Sequence, residues 1–248
     1  MSLTGKVAVV TGGSRGIGRA IALALAGQGA RVAFCHHADP AAEATLAEIR
    51  ALSDGIAVDA DVSDEAQVKA LFDAAIGRFG AVDILVNNAA TNPFFGELAA
   101  IDESAWQKTV DVNLKGPFFM IQKAIPLMKA AGKGSVVNVS SVNGIRPATF
   151  QGVYSITKGA LITMTQAFAK ELASHNIRVN ALLPGFTDTQ FSSVLMQNKE
   201  IYQTVVAQIP LKRHAEPDEM VGAVLYLVSD AASYTTGTCI TCDGGLLS

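Results

Sequence analysis

The chain has 248 residues, half of them apolar and 17% charged, which is ample for the buried core of an α/β fold. Its 19 basic and 22 acidic residues give a net charge of −3 with no block of like charge, which argues against nucleic acid or an anionic membrane as partner. Cys35, Cys239 and Cys242 make no disulfide framework, no apolar stretch is long enough to span a bilayer, and no secretory or transit pattern precedes the first strand, so a soluble cytoplasmic protein is expected.

The first expected element is a strand over Lys6–Thr11. Gly12, Gly16 and Gly18 follow with G-x-x-x-G-x-G spacing and lead into a helix over Ile17–Gln28. Such a turn lets a pyrophosphate approach the backbone at a helix start whose N–H groups are free. Gly12, Ser14, Arg15, Gly16, Ile17 and Gly18 are therefore candidate dinucleotide ligands. The second strand, Arg31–Cys35, runs into His36 and His37, with no acid where NAD-selecting folds bind the ribose hydroxyls. Asp39 is read as the N-cap of a helix over Ala41–Leu52, with Pro40 in its first position. The missing acid, together with Arg15 and donors from His36 or His37, implies NADP(H), with NAD(H) possible. Neither the His36–His37 pair nor Cys239-x-x-Cys242 has companions at ligand spacing, so no metal is expected.

Further strands are expected over Ile56–Asp59, Ile84–Asn87, Ser135–Ser140, Arg178–Leu183 and Cys239–Thr241. Ser63 reads as the opening of a helix over Glu65–Phe79, with Asp64 and Glu65 placed favourably against its dipole. Asn113 falls inside the helical pattern Val110–Leu114, ahead of a helix over Gly116–Ala130. Residues 184–210 are the least regular and read as a lid over a site. Near-continuous apolar strands alternating with helices imply one α/β domain over 1–248, with a parallel sheet covered on both faces.

The chemistry concentrates in Ser141, Tyr154 and Lys158. Tyr154 and Lys158 stand one helical turn apart and share a face. A tyrosine can donate a proton to a developing alkoxide, and a neighbouring ammonium lowers its high intrinsic pKa. The Ser141 hydroxyl can hold the carbonyl oxygen in line, and the Asn113 amide can bind a water linking the lysine to solvent.

These residues, in this order, make the chain resemble the short-chain dehydrogenases/reductases over essentially its whole length. The resemblance is carried by Thr11-Gly12-x-x-x-Gly16-Ile17-Gly18, Asp61-Val62, Asn87-Asn88-Ala89, Asn113, Ser141, Tyr154-x-x-x-Lys158, and Pro184-Gly185 with Thr189. It implies a Rossmann-type doubly wound parallel sheet in three αβα layers and an oxidoreductase acting on CH–OH groups. It further implies Tyr154 as acid/base, Lys158 as its pKa-lowering partner and ribose ligand, Ser141 as substrate orienter and Asn113 as proton-relay residue. Asp61 and Val62 would flank the adenine and Asn87 would lie beside the adenosine ribose. The segment with Pro184, Gly185, Thr187 and Thr189 would meet the nicotinamide carboxamide. Members are usually tetramers, so a homotetramer is expected, with the Tyr154 helix and the C-terminal segment as interfaces. Two positions depart from the family pattern: Ala90 stands where glycine is usual, and Thr187 where isoleucine is common.

A narrower resemblance, carried by Asn88 to Gly96 and by Phe191-Ser192, is to the NADP-dependent retinol dehydrogenase/carbonyl reductase branch. It implies an apolar substrate pocket at Phe94, Phe95, Phe186 and Phe191; ordinary core or lid packing is the alternative for these rings. A 3-oxoacyl carrier-protein reductase would want a basic patch, for which Arg146, Lys212 and Arg213 are candidates. An NAD-dependent sugar or polyol dehydrogenase stays open. A dinucleotide-sensing module commonly lacks the tyrosine or the lysine, and both are present.

Overall fold

Short runs of valine, alanine and isoleucine form the centre of the computed structural model, which describes residues 1–193, 196 and 198–248, with Phe191 by its backbone only. The strands are β1 (Val7–Thr11), β2 (Arg31–His36), β3 (Gly55–Asp59), β4 (Ile84–Asn87), β5 (Gly134–Val139), β6 (Ile177–Pro184) and β7 (Cys239–Cys242). They pair in parallel in the order β3-β2-β1-β4-β5-β6-β7. Each differs from its expected range by at most one residue per end.

Helices cover both faces of the sheet. Val7 and Val9 of β1 face Leu71 and Phe72 of α3 (Glu65–Phe79), Met120 and Ile121 of α5 (Gly116–Ala130) and Leu172 of α6 (Gly152–Leu172) in one core cluster. Ala8 and Val10, pointing the other way, join Ile21 and Leu25 of α1 (Gly16–Gly27), Leu46 and Ile49 of α2 (Ala42–Leu52) and Leu227 of α8 (Val221–Val228). This alternation is the period of two that a strand imposes. The result is the three-layer, doubly wound parallel sheet that the sequence implies. Two helices lie outside these layers: α4 (Glu103–Val110) precedes Asn113, and α7 (Lys199–Gln208) lies within the lid candidate. Among the described residues no helix is long and apolar enough to cross a membrane.

Two caps differ from expectation. Helix α3 is capped by Asp64, whose carboxylate accepts the Ala66 and Gln67 N–H groups, while Ser63 turns its hydroxyl to Asp61 at 2.6 Å. Asp39 lies outside α2 altogether. Its Oδ1 accepts the Ala41 N–H, but its Oδ2 reaches back to the glycine turn.

A buried polar chain crosses the sheet. Asn87 donates to Asn138 Oδ1 at 2.9 Å, Asn138 donates to Thr165 Oγ1 at 2.9 Å, and Thr165 donates to the Leu161 carbonyl. Thr165→Val keeps the shape and orphans the Asn138 amide, so a loss of about 1–3 kcal/mol is expected. Thermal denaturation checks this, at about 2–4 °C per kcal/mol for a chain of this size.

Candidate active site

The carboxyl ends of the strands bring the site together. β1 pairs with β2 on one side and β4 on the other, so the chain direction of winding reverses between β1 and β4, where doubly wound sheets open a crevice. Thr11, Asn87, Val139 and Pro184 end their strands along this edge.

The glycine turn is a cradle too tight for side chains. Gly12 and Gly16 adopt φ of +62° and +53°, and a Cβ on Gly18 would stand 2.0 Å from the Gly12 carbonyl oxygen. Asn88 clamps the turn: its Nδ2 donates to the Thr11 and Gly12 carbonyls at 2.9 and 3.1 Å, while Thr11 Oγ1 accepts the Asn88 and Ala89 N–H groups. Helix α1 starts directly behind it, with no side-chain cap and no acid in its first turn. An uncapped helix start above a glycine cradle fits a dinucleotide pyrophosphate, whose charge the helix dipole favours. Ile17 sits in that first turn and packs on the core. Thr189 crosses over from the far segment, its methyl 3.4 Å from where a Gly16 Cβ would be.

Around the expected 2′-position the structure adds a residue. Asp39, buried, accepts the Ser14 hydroxyl at 2.6 Å and pairs with Arg15 at 3.2 Å. The Ser14 bond, backed by the Ala41 N–H and the Arg15 charge, holds its carboxyl below the usual carboxylate range against the opposing effect of burial. So an acid does stand close to the end of β2: Asp39, which the sequence reads as a helix cap, turns its Oδ2 back to the glycine turn. His36 Nδ1 accepts the Asp39 N–H at 3.3 Å, and His37 is exposed.

Asp61 is fixed by Ser63 and by Lys108 at 2.9 Å. Burial alone would raise it, but these bonds outweigh burial and hold its carboxyl at about 2. Val62 is buried beside Gly116; the Asn87 Nδ2 is bonded to β5, whereas its buried Oδ1 has no hydrogen-bond partner. Gly185 packs so closely on Asp243 that a Cβ would lie 2.6 Å from its Cα. Thr187 bridges Ala215, which ties the Pro184–Thr189 segment to the chain just beyond the lid candidate.

Ser141, Tyr154 and Lys158 converge. All three are buried, and the Ser141 side chain hydrogen-bonds the Tyr154 phenol. Lys158 Nζ donates to the Val139 carbonyl at 2.8 Å and lies 5.5 Å from the Tyr154 ring centre. An ammonium has three donors, so two can serve a ribose. The sequence leads one to expect a depressed phenol. Instead burial pushes Tyr154 up to about 12, against the Ser141 hydrogen bond, and pulls Lys158 down to about 7, because a closed site disfavours both charged forms. The phenol is thus held protonated across the neutral range.

Asn113 is fully buried, in a π-helical turn over Asp111–Lys115. Its side chain makes three hydrogen bonds: it accepts the Thr91 N–H and donates to the Thr91 carbonyl, both at 2.8 Å, and to Thr157 at 3.2 Å. The expected water-binding amide is therefore a clamp. Pro117 has no N–H, which leaves the Asn113 carbonyl without its α-helical donor.

The aromatic candidates fall in two places. Phe94 and Phe95 lie near the start of α6, whereas Phe186 packs on Tyr202 and His214, with ring centres 6.0 and 6.4 Å away. A cavity of about 150 Å³ beside Phe186 is lined by Leu211, His214, Met220, Cys242 and Asp243 among others, with no member of the catalytic set. The Phe191 side chain lies outside the described residues. Sequence reasoning missed one cluster: Asp188, His214 and Glu216 place ligand-type atoms within 4.8 Å of one another at the base of the lid candidate.

A proton-carrying tyrosine set beside a dinucleotide cradle is the equipment of an oxidoreductase of CH–OH groups. Comparison with known proteins agrees. A family model described as enoyl-(acyl carrier protein) reductase matches residues 12–247. The chain is 37% identical to dehydrogenase/reductase SDR family member 4 of Oryctolagus cuniculus, over 98% of this chain and 94% of that one. It is 40% identical to the 3-oxoacyl-[acyl-carrier-protein] reductase FabG of Staphylococcus aureus (strain N315), over 97% and 98%. A solved structure of a protein assigned as a short-chain alcohol dehydrogenase, from Sinorhizobium meliloti 1021, superposes with a TM-score of 0.95 at 37% identity, covering 99% of this chain and 98% of that one. The chain belongs to the short-chain dehydrogenase/reductase family.

Proposed function

We propose that the protein interconverts a carbonyl compound and the corresponding secondary alcohol by hydride exchange with NADP(H), with Tyr154 as acid and base. The observation that carries this is the buried Tyr154 phenol, hydrogen-bonded by Ser141 and one helical turn from Lys158. A bound nicotinamide cofactor supplies or accepts the hydride. Ser141 holds the substrate oxygen, and Tyr154 passes its proton to that oxygen in reduction and takes one from it in oxidation. Lys158 holds ribose hydroxyls, and Asn113 holds the fold around Lys158 through Thr157. Pro184, Gly185, Thr187 and Thr189 meet the carboxamide, and residues 184–210 close over the substrate.

The exposed Arg15 guanidinium supports NADP(H), with Asp39 aiming it. Arg15→Ala should weaken NADPH by about tenfold to a hundredfold, as loss of a charge-assisted bond of about 1.5–3 kcal/mol implies, and NADH far less. Reduced-cofactor absorbance, followed with NADPH and NADH in parallel over α-dicarbonyls, aryl ketones, a retinal and a 3-oxoacyl thioester, tests this. Equal losses would remove Arg15 from the 2′-phosphate.

Asp39 also favours a second reading, in which it binds ribose hydroxyls and the enzyme is an NAD-dependent sugar or polyol dehydrogenase. NADH preference that Asp39→Asn removes would establish that reading. For the carrier-protein reading, Arg213 is paired with Glu219, whereas Lys212, bonded to the Ala207 carbonyl, and the exposed Arg146 keep their charge for an acidic carrier. Free thiols support a reducing compartment such as the cytoplasm. The exposed Phe118 of α5 and Ile156 of α6 support a homotetramer.

A further inference from the structure

Ser140 joins β5 to Ser141 and has no part in the chemistry above. Only 3% of it is exposed. Its N–H donates to the Leu182 carbonyl of β6 at 2.8 Å, so its backbone is held by the sheet. Its Oγ donates to the Lys158 carbonyl at 2.8 Å. That carbonyl lies inside α6, where the helix itself supplies a donor from the next turn. A carbonyl has two lone pairs, and Ser140 takes the second. Alanine at 140 would therefore orphan no buried polar group. What the bond adds is a fixed place for this turn of α6 against the sheet.

The same stretch grips Lys158 at two further points. The Val139 carbonyl accepts from Nζ at 2.8 Å. Gly144 lies against the helix backbone: a Cβ there would stand 2.8 Å from the Lys158 carbonyl carbon and 3.0 Å from the Gly159 nitrogen. A Cβ on Gly159 would in turn stand 3.1 Å from the Gly144 oxygen. Residues 139–144 thus hold the lysine by its ammonium, its carbonyl and its backbone. A lysine stem is four carbons long and flexible, so an ammonium bonded only at its tip has many courses open to it. Fixing the backbone end as well leaves few.

We infer that Ser140 is a positioning residue for Lys158: by tying the Lys158 carbonyl to the end of β5, it sets where Nζ stands and turns the two remaining donors of Nζ to the cofactor ribose. The inference rests on the role proposed above for Lys158. Ser140 acts through that ammonium alone, so its effect vanishes where the ammonium is absent.

A double-mutant cycle tests this, with Ser140→Ala, Lys158→Met and the two combined; methionine keeps a buried apolar stem and removes the charge. NADPH and NADH affinities come from fluorescence titration, and kcat and KM from reduction of acetophenone. Ser140→Ala should weaken both cofactors by about threefold to tenfold and lower kcat, with KM for the ketone unchanged and the melting temperature lower by a few degrees at most. In the Lys158→Met background the same substitution should change cofactor affinity by less than about twofold. Equal losses in both backgrounds, as a general loosening of the fold or an effect passed through Ser141 would give, overturn the inference, and so does wild-type affinity in Ser140→Ala. Should Lys158→Met not fold, Ser140→Thr decides: affinity kept by threonine and lost by alanine upholds the bond, and equal loss overturns it. The affinity cycle needs no turnover, so it separates the two readings. A wild type that binds cofactor and reduces no carbonyl sinks hydride transfer while the cycle still decides Ser140; wild-type turnover with equal losses in both backgrounds sinks Ser140 alone.

Discussion

Tyr154→Phe is expected to lower turnover by about a thousandfold or more while leaving NADPH binding nearly intact. The substitution removes one oxygen from a buried ring and leaves the helix backbone around it unchanged. General acid catalysis contributes about 10²–10⁴ in rate, and Ser141, the other group assigned to the substrate oxygen, is a hydroxyl that orients rather than a proton-transferring acid. The pH dependence has a definite sign. With the phenol pushed up to about 12 by burial, the donor is present throughout the neutral range, so reduction should not lose its acid until strongly alkaline pH. Oxidation needs the phenolate, so its rate should rise with pH. Steady-state rates in both directions, with cofactor affinity by fluorescence titration, check this. Near-normal reduction by Tyr154→Phe would sink the mechanism.

Gly18→Ala should be the most damaging single methyl in the cofactor half. Its Cβ would meet the Gly12 carbonyl oxygen at 2.0 Å and Asn88 Nδ2 at 2.4 Å. The first contact is backbone and the second is the clamp on the same turn, so neither gives way without opening the cradle. Overpacking of this kind costs about 1–3 kcal/mol, and the melting temperature should fall by several degrees. Affinity for NADPH and NADH should fall together, by about a hundredfold, because the pyrophosphate is common to both. Gly77→Ala is the control. Gly77 lies in α3 with open space around it, so alanine should stabilise by up to about 1 kcal/mol through helix propensity. A harmless Gly18→Ala would mean that the turn is loose in solution.

The strands were legible because parallel strands buried on both faces read as unbroken apolar runs. Val136-Val137-Asn138-Val139 and Val7 to Val10 have no competing helical period. Tyr154 and Lys158 were legible because one helical turn fixes their relation whatever surrounds them. The misread parts depend on contacts between distant residues. Asp39 looks like a cap because proline follows it, yet Ser14 and Arg15, 25 and 24 positions earlier, draw its carboxylate away. The Asn113 amide looks free until Thr91 and Thr157 arrive from other elements. The rise in the Tyr154 pKa comes from enclosure, which no spacing reports. The turn that the Gln151 N–H closes on the Ala148 carbonyl, with Phe150 at φ of +65°, gave no signal, since Ala148-Thr149-Phe150-Gln151 holds no glycine, proline, asparagine or aspartate.

The strand order also bears on how the chain can be made. β2 adds to β1, β3 adds to β2, and β4 then adds to the opposite side of β1; β5, β6 and β7 follow outward one after another. At every stage of synthesis the next strand meets an open edge, so no segment has to insert between strands already paired. The glycine cradle is complete when β4 docks and brings Asn88 onto it, well before Tyr154 leaves the ribosome. The phosphate-holding residues are thus all made before any catalytic one, while the α5 and α6 side chains that cover one face of β1 come later.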